Sequence, residues 1–216
     1  MLTATHRDFA STRTLFAAVV AAGLLSGCGA FATKDKGAKA DEQDQGLTGT
    51  WQAGCADLDW LGLAQEQSGL VFSALGDFER TTTMFTDDAC ETAATTLRES
   101  GTYAALDAST EVEGAADINF TITAATLTPR SDDAAKLLRD ASYCGTQSWK
   151  KGEAKSVLDK DCLGRSHAKG EVVFDVYRLE NDDDALLLGK GTLFLDKSAA
   201  DARPSKLDES KVFERQ

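Results

Sequence analysis

Histidine is nearly absent from this chain: there are two in 216 residues, at His6 and His167. Chemistry that relies on imidazole, as general base, metal ligand or pH switch, has little raw material here. Basic residues are also short, with 23 Lys and Arg against 35 Asp and Glu, a net charge of -12 and a pI near 4.6. Coating a nucleic acid needs a net cationic face that releases counterions, so that class is excluded. Cysteines are five, with no CxxC pair, and no Gly-x-Ser-x-Gly occurs. Redox thiols, zinc knuckles and a nucleophile elbow therefore have no local signature. What is present suffices for a core: 42% hydrophobic and 27% charged residues describe one folded domain of ordinary size.

The first 27 residues read as an export signal. Arg7 and Arg13 against Asp8 give a weakly basic start, and Leu15–Leu25 (LFAAVVAAGLL) is uncharged. The run ends in Leu25-Ser26-Gly27-Cys28, which resembles the bacterial lipobox. That resemblance implies cleavage before Cys28 and diacylglycerol on its thiol. A membrane-spanning reading would extend the uncharged segment to Ala32, which is marginal for a bilayer core and broken by glycines. Cleavage removes Arg7, Arg13 and Asp8, leaving the mature chain one unit more acidic. Gly29 follows the cysteine where an Asp would favour the inner membrane, so the resemblance implies the outer membrane of a Gram-negative cell, facing the periplasm, with the cell surface open as an alternative. Residues 28–46 (CGAFATKDKGAKADEQDQG) have few apolar side chains after Phe31 and read as a lipidated flexible tether spanning roughly 25 Å.

With Cys28 assigned to lipid, Cys55, Cys90, Cys144 and Cys162 remain, an even number in an exported chain, and two disulfides are expected. Of three connectivities, Cys55–Cys90 with Cys144–Cys162 closes the shorter loops and is favoured; the crossed pairing stays open. The second bridge would stabilise the fold by about 3 kcal/mol through the entropy of the unfolded chain.

From Leu47 to Gln216 the hydrophobic period is mostly two. Ile118, Phe120 and Ile122 alternate with polar residues. Leu70–Leu75, a Gly76-Asp77 turn and Phe78–Phe85 form a hairpin pattern, and Glu171–Leu179 and Leu186–Leu195 form another around the acidic run at 180–184. Thr92–Leu106 reads as a long strand bent at Gly101, and Lys206–Gln216 as a closing strand. Ser131 with Asp132 and Asp133 is a helix start. Ala134, Leu137, Leu138 and Ala141 then repeat at helical spacing, so one short helix is expected around 132–143. The expectation is a mainly β domain over 47–216: an antiparallel barrel of seven or eight strands, or a two-layer sandwich.

Gly49-Thr50-Trp51 at the opening of the first strand resembles the Gly-x-Trp signature of lipocalins and related calycin barrels. That resemblance implies a Trp lying across one closed barrel end under a basic residue from the last strand, a role it gives to Trp51, with Arg215 as the candidate partner. The family's middle motif has no counterpart, and the helix falls in mid-chain rather than after the last strand.

No catalytic, metal or cofactor site is expected. The acidic groups Asp57/Asp59, Asp87/Asp88, Asp132/Asp133 and Asp182–Asp184 invite calcium, but none fits a calcium-loop pattern and each reads as a turn or cap. His167 lies in a polar loop. Trp149, Lys150 and Lys151, with Glu153 and Lys155, form the one basic aromatic patch, a candidate surface contact or a solvated loop whose Trp packs inward. Trp60 with Leu58, Leu61 and Leu63 suggests a short apolar plug after the first strand. Two functions follow: a lipid-anchored binding module holding a small apolar ligand inside the barrel, or a structural or protein-interaction lipoprotein with a filled core.

Overall fold

The computed structural model describes residues 46–162, 168–191 and 197–216. Among them nine strands form: β1 (Gly49–Trp60), β2 (Leu63–Phe72), β3 (Asp77–Phe85), β4 (Ala93–Ala108), β5 (Ala116–Pro129), β6 (Lys155–Ser156), β7 (Val172–Glu180), β8 (Ala185–Leu188) and β9 (Phe213–Arg215). All pairings are antiparallel. Because β4 pairs with β5 and β9 returns to β1, eight strands close into a barrel, and β6 is an addition to the last part of β5. The barrel, not the sandwich, is the solution that removes the sheet edges. Its single described helix, α1, spans Asp132–Asp140; Ser131 caps it by accepting the Ala134 N–H at 3.0 Å.

Local chemistry explains most of the hairpins. Between β2 and β3, Ser73 Oγ accepts the N–H groups of Leu75 and Asp77, and Gly76 takes a φ of +82°, which glycine adopts without strain. In β4 the register shifts between Ser100 and Gly101. A Cβ on Gly101 would overlap the Thr121 carbonyl, so only glycine lets the two backbones meet at this bend.

Three sequence expectations change. The segment around Trp60 is no plug: β1 runs through to Trp60, and Leu61-Gly62 turn directly into β2. That strand begins at Leu63, and its polar start is held by pairing on both sides, to β1 and β3. Leu75, expected at a strand end, lies in the turn and is 91% exposed. The closing strand is shorter than expected, at Phe213–Arg215. Part of the expected Leu186–Leu195 strand falls outside the described residues.

The inward-facing side chains lie in tiers. Register sets Phe72 beside Phe78, Leu70 beside Arg80, Ser68 beside Thr82 and Glu66 beside Met84. At the end where β1 begins, Trp51, Phe72, Tyr103, Ile118, Phe120 and Phe213 share one apolar cluster. Phe72 meets Tyr103 edge-on at 4.8 Å and Phe78 meets Phe120 at 4.9 Å. At the opposite end, Trp60, Met84, Leu97, Leu127, Leu138 and Trp149 form a second cluster. Ser68, Arg80, Thr82 and Glu99 supply buried polar groups along the same strands.

Candidate functional site: two barrel closures and a lateral groove

The first closure is built around Trp51, which is fully buried and sits in register with Leu70 on one side and Arg215 on the other. Its indole N–H donates to the Leu47 carbonyl at 2.8 Å. The Arg215 guanidinium lies 4.2 Å from the indole ring centre. It donates to the carbonyls of Gly46 (2.7 Å) and Thr48 (2.9 Å), and to that of Asp183 in the β7–β8 loop (3.0 and 2.8 Å). One side chain thus ties the entry of β1, the end of β9 and a loop across the rim. A flat, fixed fork of donors suits that task better than an ammonium would.

The second closure is the cap after β5. Cys144 is bonded to Cys162, and Cys55 to Cys90, the connectivity that closes the shorter loops. Helix α1 ends in a 3-10 turn at Tyr143–Gly145, where Ser142, Cys144 and Gly145 all take positive φ. Trp149 is 1% exposed, so it is not a surface contact: its indole donates to the Tyr143 carbonyl, and the Trp149 carbonyl accepts from Arg139. Lys150, Lys151 and Glu153 of the expected patch face solvent, and Lys155 is half-buried and paired with Glu153. Burying so large a ring beside Tyr143, itself edge-on to Trp60, outweighs displaying it.

Charged groups sit inside the barrel wall. Arg80 donates through Nε and Nη2 to Glu99 Oε2, with both side chains buried. Asp175 on β7 meets Lys197 at 2.8 Å, the two side chains being 0% and 5% exposed. Burial pushes the Asp175 carboxyl above its ordinary value, against the Lys197 charge and hydrogen bond and the N–H groups of Val176 and Gly189. Glu66 pairs with Lys211 near the wall. None of these pairs was expected from the sequence. The signal was phase: Arg80 shares the parity of Phe78 and Met84, and Asp175 that of Val173 and Tyr177, so each faces inward with its apolar neighbours.

Beyond Ala53, β1 has no register partner in β9. A groove of about 520 Å³ opens there between Cys55–Leu58 and the chain at Leu188–Gly191, with Glu66, Thr82, Lys211 and Phe213 also lining it.

Of the acidic groups, Asp87/Asp88 and Asp182–Asp184 lie in turns and Asp132/Asp133 at a helix start, as expected, whereas Asp57 and Asp59 lie within β1 and are neither turn nor cap. Asp87 accepts the N–H groups of Ala89, Glu91 and Thr92, which lowers its carboxyl, the Glu91 bond most of all. Asp132 and Asp133 lie in the first turn of α1, Asp57 accepts from Gln65, and Asp184 lies 3.7 Å from Arg215. Among the described residues no His, Cys, Asp and Glu cluster could hold a metal ion, and no helix is long and apolar enough to cross a membrane. Cys28 and His167 lie outside the described residues, and so does the side chain of Asp59.

No protein-family model matches the chain, and no curated protein matches it.

Proposed function

We propose that this chain is an envelope lipoprotein, anchored through diacylglycerol on Cys28 in the outer membrane and facing the periplasm, whose barrel acts through its outer surface on another envelope protein. The lipobox-like Leu25–Cys28 supports the anchor, and two disulfides suit an oxidising compartment. The observation that carries the surface reading is the bulk of the buried side chains: large residues gather in an apolar cluster at each end of the described barrel, one of them beneath the Trp51–Arg215 stack. The Trp51–Arg215 stack supports the lipocalin-like ancestry that Gly49-Thr50-Trp51 suggests.

A second reading rests on the lateral groove. Leu58, Leu188 and Phe213 beside Glu66, Lys190 and Lys211 form a wall for a small apolar ligand with a polar end, taken at the seam instead of inside the barrel.

Cell fractionation of the full chain and of Cys28→Ala tests the anchor. The wild type is expected in the outer membrane with an acylated N-terminal cysteine, and Cys28→Ala in the soluble fraction. Equal distribution of the two, with an unmodified cysteine, would defeat the lipoprotein assignment.

A further inference from the structure

Asp175 and Lys197 are arranged as more than an ion pair. Asp175 stands opposite Ile118 in the β5–β7 ladder, within the apolar interior, and its two carboxyl oxygens have different partners. Oδ1 accepts two backbone N–H groups, from Val176 at 2.9 Å and Gly189 at 3.1 Å. Oδ2 accepts Lys197 Nζ at 2.8 Å, and the same Nζ donates to the Gly189 carbonyl at 3.2 Å. Gly189 is needed for this approach, because a Cβ there would overlap Asp175 Oδ1 and Pro204. An amine is thereby fixed beside a carboxyl whose other oxygen sits in a two-donor cradle.

We infer that Lys197 Nζ and Asp175 Cγ condense to an intramolecular amide once the barrel has folded. Taking two charges out of water is costly, and passing a proton from the ammonium to the carboxylate leaves a neutral amine beside a neutral acid. Burial, which raises the Asp175 carboxyl, favours that form. The Nζ lone pair then forms a bond to Cγ while the carbonyl electrons move onto Oδ1, where the Val176 and Gly189 N–H groups hold the developing charge. The Cγ–Oδ2 bond breaks, and Oδ2 leaves as water, carrying its own proton and one from Nζ. One N–H remains on the new amide for the Gly189 carbonyl. No oxidant or co-reactant is consumed. Fixed geometry supplies the effective concentration that the same groups lack in solution. The product ties β7 to the segment leading into β9 by a bond that reductants leave intact, unlike either disulfide. This inference is independent of the anchor and ligand readings.

Peptide mapping of the full chain, denatured, reduced and digested with trypsin, tests it. In sequence, Asp175 falls in the 170–178 peptide and Lys197 ends the 191–197 peptide. An amide blocks cleavage after Lys197, so the expected product is 170–178 joined to 191–206, lighter than the sum by one water, about 18 Da. Complete cleavage after Lys197 with both peptides free would overturn the inference. Asp175→Asn is expected to give the same joined peptide by losing ammonia, and Asp175→Ala to give none; a joined peptide persisting in Asp175→Ala would place the bond elsewhere and overturn the assignment. If Asp175→Ala fails to fold, the wild-type map alone decides.

Discussion

The two ends of this barrel are closed by different means. At the Trp51 end the closure is non-covalent: one buried indole, one guanidinium stacked on it, and hydrogen bonds to the carbonyls of Gly46, Thr48 and Asp183. At the cap end, α1, Trp149 and the strand ends are gathered over the second apolar cluster, with Cys144–Cys162 inside it. The first end joins segments far apart in sequence, since Gly46 and Arg215 nearly span the domain. At the second, the covering segment itself is one continuous run from Pro129 to Cys162, seated on Trp60, Met84 and Leu97 from the strand ends. A closure made from distant segments must be specified by side-chain fit, whereas a local excursion can be fixed by one cross-link. The Trp51 end should therefore be the more sensitive to single substitutions, and the cap the more sensitive to reduction.

The sharpest break of this comparison is Trp51→Ala. Removing a fully buried indole is expected to cost about 3–5 kcal/mol in chemical denaturation, with the loss felt across the whole barrel. A loss under about 1 kcal/mol would mean that the stack is peripheral to the closure. Replacing Cys144 and Cys162 together by serine should cost about 3 kcal/mol. Here the informative readout is local: amides of α1 are expected to lose hydrogen-exchange protection while those of β1 and β9 retain it. Simultaneous loss at both ends would show that the closures are not separate. Arg215→Lys keeps the charge and gives up the fork, so about 1–2 kcal/mol is expected. Were it neutral, charge alone would account for the rim contacts.

The smallest effect lies on the cap-side loop between β3 and β4. Asp87 accepts three backbone N–H groups there, and its folded pKa lies below the ordinary value of 3.8. A lowered folded pKa means that this contribution is present above pH 3.8 and is lost as pH falls through the lower folded value. Carboxyl NMR titration should place the Asp87 midpoint below 3.8; a midpoint at or above it would remove the loop cap from the account.

Much of the architecture was legible as pattern. The alternation at Ile118–Ile122, the glycine at 101 and the Ser131 cap each state a local rule that the structure follows. Disulfide pairing followed from loop length. What escaped was set by neighbours. The polar start of β2, Ala64-Gln65-Glu66-Gln67-Ser68, has weak strand propensity and is held by ladders on both flanks. Trp60 continues a strand because Leu61-Gly62 turns the chain at once. Of the two readings of Trp149, the structure takes the inward one, its ring buried against Tyr143 beside exposed lysines. The buried charges at Arg80, Glu99, Asp175 and Lys197 escaped because charge suggested solvent, although the period-two phase of Arg80 and Asp175 already placed both inside.

The surface reading proposed for this barrel turns on one point, that the large side chains gathered at its two ends leave no room for a ligand inside. Native mass spectrometry of the full chain, extracted from membranes in mild detergent, tests it directly. The account predicts a mass equal to the acylated polypeptide with its cross-links and nothing more. A stoichiometric small molecule released only on unfolding would contradict the filled-barrel claim and return the apolar-ligand reading to first place.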